Sequence, residues 1–460
     1  KVIEEHFPQT RDTEPEVLAH HLTAAGEAEA AIPLWQKAGE LALKRMALTE
    51  AISHLNKGMQ LIDALPHTRE RDESELALRV PLGTAWMAHK GWAAPEIWSS
   101  LHPALALAKS LGRDDALLRI LTVLASNVLS LGRPTEALRW TEELLAAADA
   151  AGDPQFSLRA HASKMVSYFW LGQLTAAREC GEQLLAVLAQ TGKDATIFES
   201  NTHVPETIWG CCAAQWTWML GFPDQAVRIC EQNDRNAREY DNSWNLAFAL
   251  GGLGSWLFEY RCEPEVLFAR ADECERIGRD YSLAFFVTVQ APRTRAVALI
   301  RAGELERGIA ELSKYLDPPM TTRDMRPYLV TLLAEAMSRT GEHDRAVKLV
   351  DEAIAQAEAP GWRGHAHYAE SLRVKGWIMQ RMENYAEAEC DYQRALDWAR
   401  EQQAKSWELR TSTSLARLWQ QQGKRKEAHD LLAPVYNWFT EGFDTKDLKE
   451  AKALLDELSV

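Results

Sequence analysis

The 460-residue sequence predicts an all-α solenoid, a stack of two-helix hairpins, and three features of the chain point there. Apolar residues recur at i, i+3, i+4 and i+7 almost from end to end, as in 134–152 and 342–361, with Ala, Leu, Glu, Arg and Gln at the other positions. No convincing run of alternating β-branched and polar residues interrupts that pattern. Short turns, most of them marked by glycine, break it at intervals near 41 residues. One hairpin of amphipathic helices cannot cover its own apolar faces, whereas stacked neighbours cover each other's.

Each unit reads as helix A, a tight turn, helix B and a looser link. A turn residue is followed two positions on by a small or apolar residue and five on by an alanine-like one. The copies are Gly132–Pro134–Ala137, Gly172–Leu174–Ala177, Gly221–Pro223–Ala226, Gly303–Leu305–Gly308, Gly341–His343–Ala346, Glu383–Tyr385–Ala388 and Gly423–Arg425–Ala428. Cys262–Pro264–Leu267 is a weaker copy, and Gly26–Ala28–Ala31, Met46–Leu48–Ala51 and Gly91–Ala93–Glu96 lie upstream. From position 96 the alanine-like positions are 41, 40, 49, 41, 41, 38, 42 and 40 residues apart. Glycine supplies left-handed turn geometry, and Pro134, Pro223 and Pro264 suit the first turn of a helix B. Twelve residues before the alanine-like position, Ala125, Ala214, Ala296, Ala334, Gly376 and Ala416 are small enough for helices A and B to approach closely. The one long interval places an insertion near 194–207, a candidate loop over one edge. Residues 1–70 read as a helical cap with the first hairpins, 71–440 as the solenoid and 441–460 as a capping helix.

These residues resemble the tetratricopeptide repeat (TPR). The best copy is LRVKGWIMQRMENYAEAECDYQRALDWA (372–399), where Gly376, Tyr385, Ala388, Tyr392 and Ala395 stand at that family's small and aromatic packing positions. The family's usual period is about 34 residues. A period near 41 implies longer helices, similar to the sensor arms of signal-transduction ATPases with numerous domains, the maltose-activator type included. More narrowly, 14–66 with 75–98 resembles the TPR region that follows the ATPase module in bacterial proteins of the class III adenylate/guanylate cyclase-associated type. That resemblance implies a right-handed superhelix within a larger cytosolic signalling protein. It carries no catalytic residue onto this chain, because the cyclase and ATPase motifs of that family lie upstream.

Composition narrows the function further. With 51 Lys+Arg against 66 Asp+Glu the formal net charge is −15, unsuited to a generic nucleic-acid binder, which needs a basic surface. No apolar run is long enough for a membrane-spanning helix. The sequence starts at Lys1 without a signal segment and reads as a piece of a longer protein. Seven cysteines, an odd number without a C-x-x-C pair, suit a reducing cytosol and hence a cytoplasmic protein. No P-loop is present: Gly192-Lys193 is followed by Asp, and Gly251, Gly252 and Gly254 read as packing glycines. No H-E-x-x-H, EF-hand or G-x-S-x-G pattern occurs. His20-His21 diverge by about 100° on a helix, and His365 and His367 lack two further metal ligands nearby. Cys211-Cys212 read as buried small hydrophobes, and pairs such as Glu142-Glu143 as solvated helix faces. No enzyme, cofactor or metal site is expected within this chain.

Function is expected on the concave face, which helix A lines in a TPR solenoid. In the resembling family the inward positions lie six and three before the small helix-A residue, and one, four and five after it. Carried over, that register gives an aromatic middle of Phe169, Trp170, Trp218, Met219, Trp256 and Tyr260. It gives a basic end of Arg293, Arg301, Arg339, Arg373, Trp377, Arg381, Arg410 and Arg417. Arginine forks there would take carboxylates, and the aromatic stretch an apolar anchor. The partner expected is a protein or peptide, another domain of the same polypeptide included, with no nucleic acid or membrane partner. The alternative is a small-molecule sensor with tryptophans stacking on a sugar-like ligand.

Overall fold

The computed structural model describes residues 10–45, 47–191, 204–240, 242–316, 323–362 and 364–459, and every regular element among them is helical. Helix A and helix B alternate as the spacing predicts. Asp114–Ser130 is followed by Pro134–Ala151 and Pro154–Trp170 by Leu174–Thr191, and Pro205–Met219 pairs with Pro223–Glu239. Farther on, Arg326–Arg339 pairs with His343–Glu358, Tyr368–Arg381 with Tyr385–Glu401, and Lys405–Gln421 with Arg425–Tyr436. Lys446–Leu458 follows as a last helix. Residues 194–203 of the expected insertion lie outside the described residues.

The turn chemistry is local and repeats faithfully. Gly132, Gly172, Gly221, Gly303, Gly341 and Gly423 all take positive φ, and so do Cys262 and Glu383, the two non-glycine turn residues of the series. The alanine-like positions are buried throughout, with one shift of register. In the repeat of Arg69–Lys90 and Pro95–Leu111 the fully buried residue is Ile97, and Glu96 is partly exposed. Helix B there starts four residues after Gly91 rather than two. Asn127 holds that longer turn, its amide donating to the carbonyls of Trp92 and Ala94.

Close approach of helices A and B is clearest at Gly376. A Cβ there would sit 2.9 Å from the Tyr392 ring and 3.1 Å from the Ala388 carbonyl oxygen. Replacing a mid-helix glycine gains at most about 1 kcal/mol of helix propensity, against about 1–3 kcal/mol for overpacking. Gly376→Val is therefore expected to lower the melting temperature. An unchanged melt would show that this contact is not tight.

Two helices depart from regular α geometry. The helix A that contains Gly251, Gly252 and Gly254 breaks into Ser243–Gly251, a 3₁₀ turn at Leu253–Ser255 and Trp256–Arg261. The carbonyls freed by the break are taken by side chains. Arg270 donates to Ala249 (2.8 Å) and Leu250 (3.2 Å), Gln215 to Leu253 (3.0 Å) and Thr294 to Gly251 (3.2 Å). Phe286–Gln290 forms a π turn just before Pro292, whose ring nitrogen cannot donate to an α ladder.

The chain divides into two compact units. The first holds the described residues up to Leu131 and Glu136–Ser163. Its core is aliphatic, with Ile97, Leu101, Ile120, Leu121, Leu124 and Leu144 fully or nearly fully buried. The second holds Gly132–Thr135, Lys164–Thr191 and the described residues from Val204 on, and its interior is aromatic.

Candidate functional site

Within the second unit the inner faces of the middle repeats are covered by later repeats. The Ala366 amide donates to the Trp170 carbonyl (3.2 Å), Ser406 Oγ to the Trp218 carbonyl (2.5 Å) and Arg410 to the Tyr260 carbonyl. Farther along, Glu441 accepts from the amides of Asp224 (3.0 Å) and Gln225 (2.9 Å), capping the helix Pro223–Glu239. The aromatic residues expected in an open groove are consequently interior: Phe169, Trp170, Trp218, Met219, Trp256 and Tyr260 are all buried. Their rings meet those of Tyr328, His365, His367 and Trp407. Other parts of the same chain occupy the space they face.

His365 and His367 are the polar centre of that cluster. His365 Nε2 donates to the Asp324 carbonyl (2.7 Å) and its Nδ1 accepts from the His367 amide (3.2 Å). His367 Nε2 lies 2.6 Å from the Tyr260 hydroxyl, which itself donates to Gln215 Oε1 (2.9 Å). His365 is thus neutral with its proton on Nε2, and the Tyr260 bond to Gln215 leaves His367 Nε2 as the donor to that hydroxyl. Burial lowers the His365 pKa to about 4 and drives that of His367 well below its ordinary value. Among the described residues no group of three or more His, Cys, Asp or Glu is arranged to hold a metal ion. Cys211 and Cys212 are buried, and burial pushes the Cys212 thiol up to about 12.

Arg293 is also removed from any groove. It is fully buried, donating from Nη1 to Glu259 (2.7 Å) and from Nη2 to Ser255 (2.7 Å) and Thr294 (3.1 Å).

The remaining basic residues converge on one pocket of about 660 Å³. Arg301, Arg339, Arg373, Trp377, Arg381, Arg410 and Arg417 all line it. The helices Arg326–Arg339, Tyr368–Arg381 and Lys405–Gln421 supply most of the wall, and the start of Lys446–Leu458 adds Lys446, Asp447 and Glu450. Glu370 organises the floor. Arg373 grips it with two parallel bonds (Nε, 2.7 Å; Nη2, 2.9 Å) and Arg410 adds a third at 3.3 Å. Burial would raise the Glu370 pKa, but the guanidiniums of Arg373 and Arg410 outweigh it and hold the carboxyl below its ordinary range. Arg410 also donates to Asp447 (2.9 Å) and lies 4.9 Å and 5.1 Å over the rings of Trp218 and Trp407. Arg301 pairs with Glu335 at 3.6 Å. At the rim Arg381 stacks 5.0 Å over Trp377. This floor is a fixed lattice of charge, and the rim, with Arg339, Arg381, Tyr385 and Arg417, is exposed.

The repeat register singles out the arginines but not the acids that hold them. Glu370 was within reach, since it stands at an inward position, six before Gly376. Asp447 carried no signal, because it comes from a helix beyond the last repeat.

Comparison with known proteins locates the strongest repeats here as well. Residues 327–401, the two hairpins that contribute Arg339, Arg373 and Arg381, match the tetratricopeptide repeat family model. No curated protein matches the chain. Among solved structures the chain is similar to the Rap protein complexed with competence and sporulation factor, with a TM-score of 0.53 at 11% identity over 81% of this chain and 99% of that one. It is also similar to the APC/C hetero-tetramer Cut9–Hcn1, with a TM-score of 0.52 at 11% identity over 96% of this chain and 74% of that one. The fold is a TPR-like α-solenoid. No helix among the described residues is long and apolar enough to cross a membrane.

Proposed function

We propose that the chain is an interaction arm whose last repeats hold a peptide or protein segment in the arginine-lined pocket. The observation that carries this reading is the pocket itself: a floor of buried, mutually paired charges under an exposed basic and aromatic rim. A preorganised floor keeps the ordering cost of binding low. Two structural neighbours are in line with it, one complexed with competence and sporulation factor and one assembled as a hetero-tetramer. The resemblance of 14–66 and 75–98 supports a further step, that the arm serves a larger cytoplasmic signalling protein, cyclase- or ATPase-linked. Sugar stacking finds less support, because Trp170, Trp218 and Trp256 are packed against rings of the same chain.

Ser414 lines the pocket and is partly exposed, one turn after Arg410, so Ser414→Trp fills the pocket while leaving every charged residue of the floor in the sequence. Peptides selected from a display library against the parent chain are expected to lose at least about tenfold in affinity for Ser414→Trp, about 1.4 kcal/mol, at an unchanged melting temperature. Selection of no peptide, or selected peptides that bind the variant equally well, would sink the proposal.

A further inference from the structure

We infer that the rim of this pocket recognises carboxylates spaced along an extended peptide, which rests on the peptide-binding reading above and names the partner's chemistry. Six arginines and Lys446 line the pocket against five acids, Glu335, Glu370, Glu383, Asp447 and Glu450. Four of those acids are already engaged: Glu335 by Arg301, Glu370 by Arg373 and Arg410, Asp447 by Arg410, and Glu450 by Lys446 at 3.8 Å. Arg339, Arg381 and Arg417 have no ion-pair partner among the described residues, and all three are exposed at the rim. The one acid left beside them, exposed Glu383, cannot neutralise three guanidiniums. In a chain with a net charge of −15, this is a local positive surplus.

Repeat geometry arranges that surplus in a row. Arg339 and Arg381 occupy the same place in successive repeats, five residues after Ala334 and Gly376, and Gln421 holds that place in the next, beside Arg417. Their helices, Arg326–Arg339, Tyr368–Arg381 and Lys405–Gln421, pack side by side. Packed helix axes lie on the order of 10 Å apart, and an extended chain advances about 3.3 Å per residue. Carboxylates about three residues apart therefore meet successive arginines. The guanidinium fork suits a carboxylate, which it takes with two parallel bonds. Arg381 is already held in place on the Trp377 ring. Tyr385 at the same rim offers an apolar face to the intervening side chains.

The test is fluorescence anisotropy with a fluorescein-labelled all-glutamate decapeptide, a matched all-glutamine decapeptide and inorganic tripolyphosphate as competitor. The glutamate peptide is expected to bind at least about tenfold more tightly than the glutamine peptide, with affinity falling as salt rises. A combined Arg339→Gln, Arg381→Gln and Arg417→Gln variant, melting like the parent, is expected to lose at least about tenfold. The matching Arg→Lys set, which keeps charge but not the fork, is expected to lose less. Equal binding of both peptides, or full affinity in the glutamine variant, would overturn the inference. So would tripolyphosphate binding without peptide binding, which would mark a site for a compact anion. Library peptides that are sensitive to Ser414→Trp but indifferent to these arginines would overturn the carboxylate inference and leave peptide binding standing. Absence of any peptide binding overturns both.

Discussion

Arg293→Met is expected to destabilise the second unit by about 3–5 kcal/mol, the range for removing one partner of a buried ion pair. Arg293 and Glu259 are both fully buried, and the guanidinium also lies 5.5 Å over the Trp256 ring. Methionine replaces much of the volume but leaves the Glu259 carboxylate in the aromatic interior with only the Ser255 hydroxyl, 3.2 Å away. An unpaired buried charge costs far more than the lost contact. The companion Glu259→Leu is expected to be as damaging, since it strands the guanidinium. Combining the two removes both charges and is expected to recover most of the loss, because replacing a buried pair by apolar groups is often neutral. Urea unfolding of the two single variants and the double reads this directly. A parent-like midpoint for Arg293→Met would refute the account, and so would a double variant no better than the worse single.

That pair also marks where sequence legibility stops. The turn positions and the repeat spacing were legible because they depend on local chemistry: a residue able to take positive φ, then a first-turn residue, then a small one. The exception, Ile97 in place of Glu96, accompanies the one turn in which helix B starts four residues after its glycine. The break after Gly251 was not legible, since it depends on Arg270, Gln215 and Thr294, which reach the freed carbonyls from three other helices. Phe169, Trp170, Trp218, Trp256 and Tyr260 were legible as one aromatic set, but not what they face. Whether an inner face stays open depends on where His365–His367 and Lys405–Gln421 come to rest, which no residue of the aromatic stretch encodes. At the pocket the same limit appears in reverse: Arg301, Arg339, Arg373, Arg381, Arg410 and Arg417 were found by register, and Asp447 only by the fold.

Below pH 6.5 the second unit is expected to lose stability steeply, and His365 with His367 supplies the slope. Both side chains are fully buried among Phe169, Trp170, Trp256, Tyr260, Tyr328, Trp362 and Trp407. Burial lowers His365 to about 4 from its ordinary 6.5, and burial followed by the neighbouring imidazole holds His367 well below it. The sign follows from where protons bind first. In the unfolded chain both imidazoles take up protons as the pH passes 6.5, whereas in the folded chain His365 does not until about 4 and His367 is likewise held well below 6.5. Their contribution is therefore intact above pH 6.5 and declines as the pH falls toward about 4. Each adds about 1.4 kcal/mol per pH unit once the unfolded side is fully protonated, or about 2.7 kcal/mol for two. Glu370, whose pKa is held low, contributes in the same direction, but only below its ordinary 4.5. Asp391, raised by burial, works the other way and starts from an ordinary 3.8. The interval from pH 6.5 to 4.5 thus belongs mainly to the histidines. Urea midpoints across it are expected to fall steeply for the parent and much less for His365→Gln/His367→Gln, whatever that variant loses at neutral pH. Equal slopes for the two proteins would show that the imidazoles do not stay neutral inside the fold.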